Sequence, residues 1–263
     1  MTEPRIGGRP AAPWTDALRL SWHRQSLRDL LAFLRRPRDV AAAGLDTGTR
    51  LAQTLSVLLI KIIAGLLVAL AVGVFDIDPP NVSHGRLQSL HAPWLLLLIG
   101  AGLLPLVEEI AFRLALRFRP LAVGLAAGVF AYYAMTKIVF ATRISDIQVG
   151  FGWRLTAFAV VAVAVTAWLR APAWQRRAQQ FWQQHFAALF YASALAFAAV
   201  HLFNFRPALH QLWVMPLMVL PQLIAGLCYG FIRIRHGFHY AYGAHAASNG
   251  LAIMLSLLFA GRG

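Results

Sequence analysis

From residue 51 onward, apolar residues run in blocks of about twenty, separated by short connections that carry arginines, prolines or glycines. A hydrocarbon core about 30 Å thick needs roughly 20 helical residues, since each rises about 1.5 Å. Seven segments qualify: approximately 51 to 75, 92 to 112, 121 to 141, 150 to 170, 186 to 205, 209 to 232 and 239 to 259. They predict an all-α fold, a polytopic transmembrane helical bundle of about seven spans. An eighth crossing over 174 to 190 is the alternative. There Arg176, Arg177, Gln179, Gln180, Gln183 and Gln184 favour an amphipathic surface segment leading into the fifth span.

Residues 1–50 are patterned differently, with Pro10, Pro13 and Pro37 as breakers, nine arginines and five acids. Leu18, Leu20, Trp22, Leu27, Leu30, Leu31 and Leu34 alternate with Arg19, Arg24, Arg28, Arg35 and Arg36. This predicts a basic helix lying in the headgroup layer; a soluble cap packed on the bundle is the other reading. The chain thus divides into a basic amino-terminal cytoplasmic or interfacial segment, 1–50, and a transmembrane domain, 51–263.

Composition agrees with the pattern. Of 263 residues 59% are hydrophobic and 13% charged, whereas soluble domains carry roughly 25% charged residues. The lone cysteine, Cys228, excludes an internal disulfide. The formal charge of +14 raises nucleic-acid binding as a question, and distribution answers it. The amino-terminal region holds nine arginines. Alternate connections add Arg113, Arg117, Arg119, Arg170, Arg176, Arg177, Arg233 and Arg235, which makes 17. The opposite connections and the carboxyl terminus hold five: Arg86, Arg143, Arg154, Arg206 and Arg262. This asymmetry predicts a cytoplasmic amino terminus and accounts for most of the charge without nucleic acid.

An ionisable residue inside a span is expensive in hydrocarbon and is a functional candidate by default. Glu108 and Glu109 end an apolar run and precede Arg113; His201 follows Phe197 in the fifth span; His245 and Asn249 lie in the seventh; Lys61 and Lys137 interrupt the first and third. Glu109 and Arg113 are four apart and predict an ion pair on one helical face. Glu108 points about 100° away, which leaves it facing the bundle interior, suited to general-base work on water. A plain structural salt bridge is the competing reading of this motif. His245 and Asn249 also share a helical face. Gly226 and Gly230, with Gly237 and Gly243 beyond, predict close helix packing in lipid. With straight helices, Glu108 and His245 lie about 8 to 10 Å from the cytoplasmic edge and His201 about 22 Å, a gap that tilt, a shifted fifth span or a hydrated funnel must close.

Taken in order, Glu108-Glu109-x-x-x-Arg113, Phe197-x-x-x-His201 and His245-x-x-x-Asn249 resemble the three motifs of the CAAX protease and bacteriocin-processing (CPBP) family, with Pro221, Gly226 and Gly230 before the last. The match covers roughly residues 90–255. That family contains the type II CAAX prenyl endopeptidases and many bacterial intramembrane proteases, so the resemblance implies peptide-bond hydrolysis within a membrane, here a bacterial inner (plasma) membrane. It implies Glu108 as the base that activates water, His201 as a water-binding residue, and His245 and Asn249 as stabilisers of the oxyanion. Glu109, Arg113 and Phe197 would be supporting residues. The 93 positions between Glu108 and His201 exceed the family's usual gap by about two spans, 121 to 141 and 150 to 170.

The implied partners are membrane lipids and a hydrophobic or lipid-modified peptide substrate. No cofactor is required by a glutamate-dependent mechanism. The alternative is a zinc enzyme with Glu108, His201 and His245 as ligands; it leaves Glu109 as the separate base, against its pairing with Arg113. No HExxH, GxSxG or GxGD motif offers a rival protease chemistry. From other classes, a transporter or channel would use Glu108, His201 and His245 as a proton or metal path, and a silent scaffold would bind proteins through the same cavity.

Overall fold

The computed structural model describes residues 20–41, 44–74, 92–144, 146–205 and 209–260. Leu18, Arg19, Pro10, Pro13, Arg86, Arg206 and Arg262, which entered the sequence expectations, lie outside the described residues. Among the described residues there are nine helices and no strand. In chain order they are α1 (Leu20–Arg35), α2 (Thr47–Val74), α3 (Pro93–Leu116), α4 (Pro120–Val139), α5 (Phe151–Arg170), α6 (Pro172–Gln184), α7 (Phe186–Val200), α8 (Leu220–Arg235) and α9 (Phe238–Ala260). Six helical segments are long and apolar enough to cross a membrane: α2, α3, α4, α5, α7 with its following turn, and Leu212–Arg235, which contains α8. The seventh expected span forms α9, whose 23 residues give it the length, but His245, Ser248 and Asn249 interrupt its apolar sequence. Residues 172–184 form α6, which buries none of its side chains, as expected of a surface segment.

Helix α1 docks on α2 and α8 through Ser26, Leu30 and Phe33. The Phe33 ring meets Phe190 at 5.1 Å and Phe231 at 5.3 Å, both edge-on. Leu27 and Leu31 on the other side stay exposed among Arg24 and Arg28. Helix α2 begins at a carboxylate cap: the Thr49 backbone N–H donates to Asp46 at 3.0 Å, and the Thr49 hydroxyl donates to the second oxygen.

Small residues set the helix spacing, because lipid supplies no hydrophobic drive between helices. A Cβ on Gly226 would meet the Ala194 backbone at 3.1 Å and one on Gly230 the Phe190 ring at 2.7 Å, so α8 lies directly on α7. This matches the expectation for both glycines. It fails for Gly243, where a Cβ would meet nothing within 4 Å, and for Gly237, whose φ of +114° marks the α8–α9 turn. Helices α4 and α5 form a close-packed hairpin: a Cβ on Gly128 would strike the Phe158 carbonyl at 2.7 Å, and one on Gly124 the Ala162 carbonyl at 2.6 Å.

Candidate functional site

The site begins with a proline. Pro105 carries no N–H, so the helix upstream cannot continue its ordinary ladder through it. Residues Leu97–Leu103 widen into a π-helical stretch in which the Leu104 N–H reaches back five residues to the Ile99 carbonyl. The next carbonyl in that register, Gly100, would look to Pro105 for a donor and finds none. Asn249 on α9 supplies it, donating from Nδ2 to the Gly100 carbonyl at 3.2 Å. One of the two amide N–H groups expected at an oxyanion is therefore committed to repairing α3.

Downstream of Pro105 the chain returns to α-helix, Leu104–Phe112, and carries the acidic pair. Glu109 and Arg113 form the expected ion pair at 3.3 Å, and both side chains are fully buried. The pairing is by charge and proximity: none of the Arg113 nitrogens has a directed hydrogen bond among the described residues. The guanidinium instead lies 3.8 Å from the centre of the Phe197 ring, a cation–π contact. Glu108 points elsewhere, as its one-residue offset dictates, and its side chain keeps 22% exposure.

The sequence left Glu108 without a partner; the structure gives it one. His245 on α9 lies between the two carboxylates, with Nδ1 2.9 Å from Glu109 Oε1 and Nε2 3.4 Å from Glu108 Oε2. Its ring stacks on Tyr229 of α8, with centroids 4.6 Å apart. Paired with Arg113, Glu109 serves as an acceptor, so Nδ1 is the donor toward it and Nε2 faces Glu108. Glu109 therefore has a second task besides neutralising Arg113: it sets the orientation of His245.

His201 is less closely integrated. It starts the 3₁₀ turn after α7, and its Nδ1 donates to the Phe197 carbonyl at 2.7 Å. Among the described residues no hydrogen bond or ion pair joins it to Glu108 or His245. Its ring contacts Phe197 at 4.7 Å, and the same phenyl ring contacts His245 at 5.8 Å. One aromatic side chain thus lies against both imidazoles. Among the described residues, no group of three or more His, Cys, Asp and Glu side chains is gathered as it would be around a metal ion. The set Glu108, His201 and His245 does not fit a zinc site as it lies here.

Residues the sequence did not assign also converge. Lys61 of α2 donates to Ser248 Oγ at 2.6 Å, and its ammonium lies 5.9 Å from the Tyr229 ring centre. Ser248 is three residues after His245, so it shares that face of α9. That spacing was readable; the matching lysine, 187 residues away, was not. Lys137, which interrupts the third predicted span, is exposed in the last turn of α4 and donates to the Thr142 carbonyl at 3.2 Å. The helix ends at Val139, which brings this lysine to the edge of its span.

The chain matches no protein-family model, no curated protein and no solved structure. The functional reading therefore stands on the motifs and on the geometry they adopt.

Proposed function

We propose that the protein is an intramembrane endopeptidase that hydrolyses peptide bonds of hydrophobic or lipid-modified substrates, with Glu108 activating water. The observation that carries this reading is the division of labour between adjacent carboxylates: Glu109 is sealed against Arg113, while Glu108 stays partly exposed and meets His245 Nε2 at 3.4 Å. Glu108 takes a proton from water as the oxygen attacks the scissile carbonyl, then delivers that proton to the leaving amine. Glu109, through Nδ1, holds His245 with Nε2 toward the reacting centre. This is the orienting role that a buried carboxylate has beside a catalytic imidazole. In its protonated form His245 donates from Nε2 to the developing oxyanion. The remaining Asn249 N–H is a second donor only if the substrate carbonyl reaches α9; its first is engaged with Gly100.

The test is cleavage of candidate membrane peptides, prenylated and unmodified, by purified protein. Glu108→Gln is expected to lose about 100-fold or more of the rate, the usual contribution of a general base. His245→Ala is expected to fall as far with folding intact. Full activity in Glu108→Gln rejects the reading. Activity that survives metal removal supports the glutamate mechanism; activity restored only by Zn²⁺ supports the zinc alternative. The transporter alternative keeps Lys61 as an intramembrane cation but loses Lys137, which lies at a span end. Ion or proton flux in liposomes, abolished by Lys61→Met, would favour it.

A further inference from the structure

A second polar site lies away from the carboxylates. Arg117 and Arg119 on the α3–α4 connection, Asp39 and Ala41 after α1, and Gln179, Trp182 and Gln183 on α6 line a cleft of about 370 Å³, floored by Phe118 and Phe186. Each of these segments sits at the end of a span or between two spans. Arg117 to Arg119 separate α3 from α4, α6 joins α5 to α7, Phe186 opens α7, and residues 39–41 precede α2. Such positions belong to the membrane surface, whatever the tilt of the helices. They also belong to the face on which the chain concentrates its arginines.

The chemistry of the lining selects an anion. Arg117 is pinned, donating to Asp39 at 3.1 Å and to the Ile234 carbonyl at 2.7 Å, so its charge is largely answered. The Arg119 side chain is exposed and, among the described residues, has neither hydrogen-bond nor ion-pair partner. Behind the cleft, Arg233 spends its guanidinium on the Arg113 and Leu114 carbonyls and not on a carboxylate, so its charge adds to that of the cleft. The local sum is positive, and the exposed amides of Gln179 and Gln183 supply neutral donors beside it. Trp182 is held in place by its indole N–H, which donates to the Ala115 carbonyl at 2.8 Å, and its ring packs on Phe118 at 5.3 Å. A fixed tryptophan beside arginines at a span end is the arrangement found where side chains meet lipid headgroups.

We propose that this cleft is a binding site for the phosphate headgroup of an anionic phospholipid, with Arg119 as its principal cation, Gln179 and Gln183 as hydrogen-bond donors, and Phe118 and Phe186 contacting the glycerol end. The proposal is independent of the hydrolytic reading, since none of these residues touches Glu108 or His245. It differs from general attraction of a basic surface to a charged bilayer in requiring a particular arginine.

The experiment is native mass spectrometry and thermal unfolding of the delipidated full-length protein in neutral detergent, with phosphatidylglycerol, phosphatidylcholine or water-soluble glycerol phosphate added. Wild type should retain phosphatidylglycerol and gain thermal midpoint from it, well beyond phosphatidylcholine. Arg119→Gln should weaken this binding about fivefold, the loss of one cationic contact at a charged surface. Arg119→Lys should recover part of it, and Arg28→Gln, which removes an equal charge from α1, should leave it unchanged. Equal retention of both lipids, or equal loss from Arg28→Gln and Arg119→Gln, overturns the site. A full shift from glycerol phosphate alone overturns the lipid as its occupant. Should Arg119→Gln not fold, Gln183→Ala on exposed α6 carries the same test, with a loss of selectivity expected and unchanged selectivity counting against the proposal.

Discussion

Among the described residues two arginines, Arg113 and Arg154, are completely buried, and they are held by opposite means. Arg154, at the start of α5, is caged by directed hydrogen bonds: to the Arg143 carbonyl at 3.1 Å, to Thr136 Oγ1 at 3.5 Å and to the Asp146 carbonyl, with the Tyr132 and Phe151 rings over its guanidinium. The Arg113 guanidinium has no directed hydrogen bond among the described residues and rests on the charge of Glu109 and the face of Phe197. Two carbonyls and a hydroxyl hold the terminal nitrogens of the first arginine, and among the described residues no carboxylate does. A carboxylate neutralises the second and, through its other contact, reaches His245. The α4–α5 hairpin thus answers its buried arginine from its own segments, although it packs on α3 through Phe130 against Phe112, whereas the α3–α9 region spends its buried charges on an imidazole that faces Glu108.

The comparison breaks most visibly at Arg113. Arg113→Met strands Glu109 in the bundle, and removal of one partner of a buried ion pair costs about 3 to 5 kcal/mol. The double variant Arg113→Met/Glu109→Gln should recover much of that loss in thermal unfolding but not the proposed peptide cleavage, because His245 would still lack its carboxylate. If the double variant is no more stable than the single one, Glu109 is not the charge that Arg113 answers.

Arg154→Met should cost less, about 1 to 3 kcal/mol, because it leaves carbonyls unsatisfied but no charge unpaired. Its effect should be confined to the hairpin. Hydrogen exchange should rise in 136–154 while the α8 and α9 amides stay protected. A loss of cleavage that exceeds the loss of folded protein would show that the two regions are coupled.

How much of this was legible in the sequence differs between the two regions for physical reasons. The Glu109–Arg113 pair follows from an i, i+4 spacing, and the apolar blocks give the spans, because both are local. Gly226 and Gly230 were readable as packing positions, while Gly243 had the same composition and no neighbour, since spacing does not say which way a helix face points. The widened stretch before Pro105 was not foreseen. A proline announces a missing donor, but which carbonyl it orphans depends on whether the upstream turn is α or π. The assignments of Asn249 to Gly100, Lys61 to Ser248 and His245 to both carboxylates all depend on how separate helices are rotated against one another, which no single segment encodes. The same holds for Arg154, whose cage comes from a connection, residues 142 to 146, with no distinctive pattern.

Asn249 sharpens the contrast, because the proposed mechanism gives it an oxyanion role while the structure gives it a structural bond. Asn249→Ala leaves the Gly100 carbonyl unanswered, at about 1 to 3 kcal/mol. Pro105→Ala restores a backbone donor at the position that caused the gap. In a double-mutant cycle the two should therefore be strongly non-additive, with Pro105→Ala offsetting much of the stability lost in Asn249→Ala. If stability returns and cleavage does not, the second amide N–H serves the reaction; if both return, Asn249 is a repair residue only. Additive losses would separate Asn249 from Pro105 altogether.

The smallest effect should come from pH, and it concerns the cage of Arg154. Asp146 is held below the ordinary carboxylate range chiefly by the Thr142 hydroxyl, which donates to it, and then by the Gln148 and Val149 backbone N–H groups at 2.9 and 3.2 Å. A carboxyl whose folded value is depressed stabilises the fold above its unfolded value of 3.8, and the contribution fades as pH falls through the folded value. Acidification below pH 4 should therefore loosen the 142–149 connection, and with it the carbonyls that hold Arg154, and Asp146→Asn should remove most of that pH dependence. Hydrogen exchange of the Gln148 and Val149 amides between pH 6 and pH 3, corrected for intrinsic rates, reads this out. Unchanged protection in wild type would mean that the carbonyl cage keeps its shape without the Asp146 charge, and would make the hairpin still more self-contained than the region around Arg113.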